Sequence, residues 1–269
     1  MTVKKLGSIA VAALAVTAFV VSSSAARSSD SPKPTVVLVH GAWADSSSWS
    51  SVARRLQNDG YTVDVPPNPL RGLSSDSAYL ADYLSTINGP IVLVGHSYGG
   101  AVITNAAAGT LNVKALVYVN AFIPDVNQTV LGLVGAHQGS HLADVGAVFN
   151  FVPYPGAPAG DVDLYVKPSV FRDAFAGNVS PNAAAVLAAT QRPITVSTLT
   201  EPSGPPAWRT IPSWSVVGTA DNVIPLAGQL DMAQHAGAHI TEIDAPHLSM
   251  IAHPEAIEKV VRDAAAAVS

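Results

Sequence analysis

A serine between two glycines, at the point where an apolar strand gives way to a helix, most constrains what this chain can fold into. The segment Gly95–Gly99 reads GHSYG and follows the apolar run Pro90–Val94. A helical stretch begins just beyond it, so the serine lies on a sharp turn between strand and helix. Such a turn strains the backbone of its central residue and leaves room only for small side chains two positions away. Gly95 and Gly99 meet this demand, and we predict that Ser97 is a catalytic nucleophile.

Strands and helices alternate around this turn. The apolar, β-branched runs Thr35–His40 and Val113–Val119 predict strands covered on both faces, which is typical of a parallel sheet. The alternation breaks from about residue 122 to residue 207, where aromatic residues are scattered among Gly and Pro, and it resumes at Ser213. We therefore predict one α/β domain over residues 35–269, with a mostly parallel, doubly wound sheet and a cap inserted at about 122–207.

A serine hydroxyl needs a base before it can act as a nucleophile. Where a strand-to-helix turn carries the serine, an acid and then a histidine follow it along the chain. Among eight histidines, His247 lies in a short loop between the last predicted strand and the last helix. Asp221 follows the strand that begins at Ser213, and Asp125, after an earlier strand, is its rival for the role of the acid. We predict Ser97, Asp221 and His247 as the catalytic residues.

An oxyanion hole needs two backbone N–H groups that point at the developing negative charge. One is expected from Tyr98, the residue after the nucleophile. The other is expected from the loop after the first strand, where Gly41 lets the backbone approach closely. We predict the Ala42 N–H as this second donor, with the Trp43 N–H as the alternative. Trp43 and His96 are also predicted as substrate-binding residues.

The amino-terminal segment has the three parts of a secretory signal peptide. Lys4 and Lys5 precede an uncharged run over residues 6–21, and small residues lead up to Ala26. We predict a signal peptide over residues 1–26 and a short linker over residues 27–34. The mature chain is then secreted or periplasmic, with no stable membrane association after cleavage. The alternative is a retained anchor, for which the run is at the short limit of a spanning helix.

Composition excludes several kinds of site and partner. The absence of Cys among 269 residues excludes disulfides, thiolate zinc sites and a cysteine nucleophile. A formal net charge of -5 gives no basic surface for nucleic acid, and we expect a small-molecule ester as the partner. A hydrophobic fraction of 48% against 12% charged residues indicates a packed core rather than disorder. Nothing in the sequence pattern specifies an oligomeric state.

Four segments together carry a resemblance to a known family: His40–Trp43, Gly95–Gly100, Gly218–Asp221 and Pro246–Met250. From Thr35 to the carboxyl terminus the chain resembles the α/β-hydrolase superfamily. Within it, the chain is similar to the small esterase branch that includes plant methylesterases, hydroxynitrile lyases and many bacterial hydrolases. The resemblance implies a Ser–His–Asp triad, no metal and no organic cofactor.

Two positions distinguish activities within that branch. Its plant lyases carry a threonine after the first motif histidine and a lysine directly after the catalytic histidine, where this chain has Gly41 and Leu248. That lysine compensates the charge of departing cyanide, so its replacement favours ester hydrolysis over cyanohydrin cleavage. A serine nucleophile also argues against the haloalkane dehalogenases, which use aspartate. We therefore expect an exported serine hydrolase that cleaves carboxylic esters through an acyl-Ser97 intermediate.

Two other hypotheses belong to different classes of function. One is a ligand-binding, receptor-like protein that keeps the triad but turns over slowly, since a fold alone does not fix a function. The other is non-hydrolytic chemistry on the same scaffold, as a lyase or a perhydrolase. The aromatic residues of the cap indicate a medium-sized apolar acyl or aryl group in the substrate, or else they simply pack the cap.

Overall fold

The structure is a computed structural model that describes residues 1–2 and 33–268. The predicted signal peptide, apart from its first two residues, and most of the predicted linker lie outside the described residues. The helices and strands given below belong to Ser31–Ser269, the second of two units into which the chain divides. Within the described part, no helix is both long enough and apolar enough to cross a membrane.

The apolar runs of the sequence form buried strands. The strands of the described residues are β1 (Thr35–Val39), β2 (Val63–Asp64), β3 (Ile91–His96), β4 (Val113–Val119), β5 (Phe149–Val152), β6 (Asp163–Val166), β7 (Ile194–Thr195), β8 (Ser213–Gly218) and β9 (His239–Ile243). Every residue of β3 and β8 is buried, as expected for strands covered on both faces.

Six of these strands form the main sheet of the described region, in the order β2-β1-β3-β4-β8-β9. Each neighbouring pair is parallel, and Val94 of β3 pairs with Leu38 on one side and Val117 on the other. Because all the strands run the same way, the loops that follow β1, β3, β4, β8 and β9 meet at one edge of the sheet. The predicted α/β fold with a mostly parallel, doubly wound sheet is confirmed.

Helices connect the strands and cover the sheet. The α-helices of the described residues are α1 (Ser50–Asn58), α2 (Leu73–Ser85), α3 (Tyr98–Ala106), α4 (Val130–Ala136), α5 (Val145–Val148), α6 (Pro168–Phe175), α7 (Pro181–Thr190), α8 (Val196–Thr200), α9 (Leu226–His235), α10 (Ser249–Ala252) and α11 (Pro254–Ala267). Pro254 is the first residue of α11, where its missing N–H costs nothing. The same helix buries Ile257, Val261 and Ala264 at helical spacing, and it packs on α1 and on β3, β4 and β8.

Residues 120–212, between β4 and β8, are called the cap segment below. Its strands β5, β6 and β7 form a separate antiparallel sheet, in which Phe149 pairs with Val166 and Leu164 with Ile194. The sequence predicted irregular structure in most of this segment. The reason is physical, because β5 and β6 have four residues each and β7 has two, too few for a periodic pattern to appear.

Candidate active site

Ser97 lies on the turn that joins β3 to α3 and is almost fully buried. Its backbone has φ 53° and ψ -125°, a conformation that residues with a side chain rarely adopt. Glycine is needed two residues before Ser97 and two residues after it. A Cβ at Gly95 would lie 2.5 Å from the Gly99 carbonyl oxygen, and a Cβ at Gly99 would lie 2.6 Å from the Val39 carbonyl oxygen. The strained strand-to-helix turn that the motif predicts is therefore present.

Two side chains reach Ser97 from loops at the same edge of the sheet. The Ser97 hydroxyl donates to His247 Nε2 at 2.9 Å, and the His247 Nδ1–H donates to Asp221 Oδ2 at 2.9 Å. His247 follows β9 and Asp221 follows β8, which explains how residues far apart in sequence meet. Their side chains are 1% and 0% exposed, so bulk water does not compete for these hydrogen bonds. The structure thus brings together the three residues predicted as nucleophile, base and acid.

Several donors fix the orientation of the Asp221 carboxylate. Its Oδ1 accepts hydrogen bonds from the backbone N–H groups of Val223 and Ile224, at 2.8 and 2.9 Å. Its Oδ2 accepts hydrogen bonds from the side-chain amides of Asn120 and Gln229, at 2.9 and 3.2 Å. With both oxygens engaged, the carboxylate cannot turn away from the imidazole without breaking these bonds.

Asn120 is a further residue of the candidate site, which the sequence pattern does not identify. It follows β4, is fully buried and has a positive φ of 43°. Its Nδ2 donates to Asp221, and its Oδ1 accepts a hydrogen bond from the Ser249 hydroxyl at 2.6 Å. The only available signal was a polar residue directly after a buried strand, a position that other polar residues of this chain also occupy.

Asp125, the alternative candidate for the acid, forms its side-chain hydrogen bonds with other residues. Its carboxylate accepts hydrogen bonds from Arg209 at 2.6 Å and from His235 at 2.9 Å. The hydrogen bond with His235 is the main cause that holds the pKa of Asp125 below its ordinary value. In the described residues it is Asp221, the acid predicted from the sequence, that forms a hydrogen bond with His247, and Asp125 forms none with it.

The loop after β1 contacts the turn that carries Ser97. A Cβ at Gly41 would lie 2.7 Å from the Ser97 Cβ, so only glycine permits this approach. Within residues 33–268, neither the Ala42 N–H nor the Tyr98 N–H donates a hydrogen bond to the protein. Both residues line the cavity next to Ser97. The Trp43 N–H, the alternative donor, is already engaged with the Arg192 carbonyl oxygen at 3.0 Å.

Trp43 joins this loop to the cap segment. Besides its backbone bond to Arg192, its indole N–H donates to the Leu164 carbonyl oxygen at 2.8 Å. Its ring stacks on Phe149 at 5.1 Å and meets Phe175 edge-on at 5.4 Å, between ring centroids. Trp43 also lines the cavity, as its predicted contact with substrate requires. The loop and the cap segment are therefore held together at the candidate site.

His96 does not reach the cavity wall, although it was predicted to bind substrate. It is fully buried, and its Nε2–H donates to the His247 carbonyl oxygen at 2.9 Å. Burial, reinforced by the neighbouring His247, holds the pKa of His96 well below its ordinary value. The His96 ring packs against the His247 ring at 4.7 Å between ring centroids, and His96 is not among the residues that line the cavity.

An apolar cavity of about 100 Å³ lies beside Ser97. Its wall is made by Ser97, by the loop after β1 and by side chains of the cap segment on α4, α5, β5, β6 and α8. Apart from Ser97 and Tyr98, the lining side chains carry only hydrocarbon or aromatic groups, and none is charged. The Tyr98 hydroxyl donates to the buried Asp76 at 2.8 Å. Such a wall fits an uncharged, apolar group.

Comparisons with known proteins agree with this fold. The sequence profile of the alpha/beta hydrolase family matches residues 36–260. The chain is 32% identical over 111 residues to the carbendazim hydrolyzing esterase of Nocardioides sp., a match that covers 36% of this chain and 46% of that protein. It is 29% identical over 142 residues to the alpha-hydroxynitrile lyase of Arabidopsis thaliana, covering 48% and 49% respectively. The matches span about half the length of these two relatives.

A solved structure shows the same fold over nearly the whole domain. Polyneuridine aldehyde esterase superposes with a TM-score of 0.73 at 19% identity, over 86% of this chain and 99% of that chain. At this identity the likeness concerns the fold alone. The resemblance drawn from the four sequence segments is confirmed by the profile match, which spans most of the chain. The chain belongs to the alpha/beta hydrolase family.

Proposed function

We propose that this chain is an exported serine hydrolase that cleaves carboxylic esters of small molecules. One observation carries the proposal. Ser97, His247 and Asp221 form a buried series of hydrogen bonds, and Ser97 lines an apolar cavity. Membership of the alpha/beta hydrolase family and the similarity to an esterase of Nocardioides sp. support it.

In the first half of the reaction Ser97 becomes acylated. Its Oγ attacks the ester carbonyl carbon while His247 Nε2 accepts the hydroxyl proton, and Asp221 stabilises the charged imidazole. The carbonyl oxygen becomes negative and accepts hydrogen bonds from the free N–H groups of Ala42 and Tyr98. The bond to the alcohol oxygen then breaks, and His247 gives its proton to the leaving alcohol.

In the second half water releases the acid. His247 Nε2 takes a proton from a water molecule, whose oxygen attacks the acyl carbon. The new oxyanion uses the same two N–H groups, the bond to Ser97 Oγ breaks, and the proton returns to Ser97. One ester and one water molecule are consumed, and the enzyme returns to its starting state.

The similarity to a hydroxynitrile lyase raises cyanohydrin cleavage as a second chemistry. Leu248 occupies the position directly after His247, is 3% exposed and carries no charge. It therefore cannot stabilise a departing cyanide ion, which supports hydrolysis as the reaction.

Replacement of Ser97 by alanine tests the function. We expect Ser97→Ala to lose turnover of p-nitrophenyl butyrate by a factor on the order of 10⁶ and to resist labelling by a fluorophosphonate. Ser51→Ala, on the exposed side of α1, serves as the control and should keep wild-type turnover. Equal turnover in Ser97→Ala and wild type would contradict the proposal. Labelling of wild type without steady turnover would favour the receptor-like function.

We also propose that residues 1–26 direct export and are removed. The two lysines, the uncharged run and the small residues before Ala26 support this. Intact-mass measurement of the protein outside the cytoplasm is expected to show a chain that starts at Arg27. Retention of residues 1–26 in that protein would contradict cleavage.

A further inference from the structure

The cavity beside Ser97 opens onto exposed apolar side chains. Leu131 of α4 and Val145 of α5 both line the cavity, yet they are 45% and 39% exposed. A side chain that lines a cavity and also meets solvent lies at the mouth of that cavity. Neither α4 nor α5 contains a charged residue, so this part of the mouth is apolar.

Phe151 of β5 extends the same apolar surface outward. Successive side chains of a strand alternate between its faces, so Phe151 shares a face with Phe149, which lines the cavity. In the antiparallel pair, Phe151 lies opposite Leu164, another lining residue, and opposed residues project to the same side. Phe151 is itself 50% exposed. We call Leu131, Val145 and Phe151 the mouth patch.

The cavity lies on the acyl side of the candidate site. Its wall contains Ser97, and also Ala42 and Tyr98, whose N–H groups donate to no protein group within residues 33–268, but it does not contain His247. The leaving alcohol has to lie next to His247 Nε2 in order to receive its proton. An ester whose carbonyl oxygen meets these N–H groups is therefore expected to place its acyl group in this cavity and its alcohol on the side of His247.

We propose that the mouth patch is an outer subsite for the distal part of an acyl chain. The preferred substrates are then esters of apolar, uncharged carboxylic acids whose chains extend past the cavity onto Leu131, Val145 and Phe151. This inference rests on the proposed ester hydrolysis. Each methylene that leaves water on the patch is expected to raise kcat/KM by up to about fourfold. Single large apolar side chains on a surface are common, whereas these three belong to elements that all contribute lining residues to the cavity beside Ser97.

The test measures kcat/KM for p-nitrophenyl esters from acetate to decanoate, first below and then above the critical micelle concentration. In wild type we expect kcat/KM to rise with chain length. In Leu131→Ser, Val145→Ser and Phe151→Ser, the ratio of kcat/KM for decanoate to that for acetate should fall about threefold to tenfold. Phe151→Tyr keeps the ring and should restore the wild-type ratio.

Two matched controls separate the patch from exposed apolar residues in general. Leu111 and Val186 are 89% and 62% exposed and do not line the cavity. Leu111→Ser and Val186→Ser should therefore keep the wild-type ratio. Thermal unfolding followed by circular dichroism verifies that each variant is folded.

Several outcomes would overturn the outer subsite. One is an unchanged ratio in all three mouth variants, and another is an equal fall in the two controls. An effect that appears only above the critical micelle concentration would assign the patch to aggregated lipid instead. An effect on alkyl acetates of increasing alcohol length, and not on the acyl series, would overturn the acyl assignment. Undiminished acetate hydrolysis by Ser97→Ala would instead contradict the proposed function.

Discussion

Asn120 links three segments that follow different strands of the main sheet. It comes after β4, donates to Asp221 after β8, and accepts from Ser249, the first residue of α10. Through Asp221 it bears on the orientation of His247, although it touches neither the imidazole nor the cavity. We therefore consider it a positioning residue.

The variant Asn120→Gly isolates the role of this side chain. Because φ of Asn120 is 43°, glycine fits the backbone and removes only the amide. A lost hydrogen bond to a charged group corresponds to a fall in kcat of about tenfold to a hundredfold, with a much smaller change in KM. The measurement is kcat and KM for p-nitrophenyl butyrate.

Asn127 offers a control with the same backbone feature. It has φ 65° and is exposed, and its backbone N–H donates to the Ser203 carbonyl oxygen, a bond that glycine keeps. Asn127→Gly should retain wild-type kcat. A similar loss of kcat in both variants, or a change confined to KM, would show that Asn120 does not position Asp221.

Among the elements, the loop after β1 and the turn after β3 depend on each other. They are held at close range because Gly41 has no side chain, and the loop is tied to the cap segment through Trp43. The position of the Ala42 N–H is therefore set by two neighbouring elements rather than by the loop alone.

Two glycine-to-alanine changes are predicted to have opposite signs. In Gly41→Ala the new Cβ would lie 2.7 Å from the Ser97 Cβ and 2.9 Å from the His96 carbonyl oxygen. We expect overpacking to lower the free energy of unfolding by about 1–3 kcal/mol and to lower kcat as the Ala42 N–H moves. In Gly135→Ala, on α4 with nothing within 4 Å, we expect a gain of about 0.5–1 kcal/mol.

Urea denaturation of both variants measures these free energies, and ester turnover measures the effect on the site. If Gly41→Ala had wild-type stability and wild-type kcat, the close approach of the loop to Ser97 would have no functional consequence.

At the scale of the whole molecule, buried neutral histidines make stability depend on pH. Burial lowers the pKa of His40 to about 4, against an ordinary value of 6.5. Its Nδ1–H donates to the Gly41 carbonyl oxygen, and its Nε2 accepts the Asn68 N–H, so a protonated ring would lose the second bond. The pKa of His96 is lowered in the same direction by burial.

The sign of the effect follows from proton linkage. Between pH 6.5 and pH 4 the unfolded chain binds a proton at His40 that the folded chain does not, so stability falls as the pH falls. The contribution of His40 alone is at most about 3 kcal/mol. Over this window, His40→Gln should show a pH slope smaller by about one proton than wild type. Urea denaturation at a series of pH values measures both slopes, and identical slopes would contradict the prediction.

The sequence predicts more of the main sheet than of the cap segment. The strands of the main sheet follow from apolar runs, and β4 has the predicted bounds. The sheet of the cap segment was not predicted, because its strands are too short for a pattern. The mouth patch likewise depends on α4, α5 and β5 meeting around one cavity, which no local pattern encodes.

Within the candidate site, features that depend on neighbouring residues are easier to predict from the sequence than contacts between residues far apart along the chain. The motif Gly95–Gly99 is sufficient to specify the turn that exposes Ser97, because the constraint acts between neighbours, and chain order points to His247. Asp221 is predicted over Asp125 from the sequence, and in the tertiary structure it is Asp221 that forms a hydrogen bond with His247. Asn120 and Asp221 are 101 residues apart, and only the packing of the sheet makes them partners. Backbone geometry is thus local and readable in the sequence, whereas contacts between loops exist only once the strands are placed side by side.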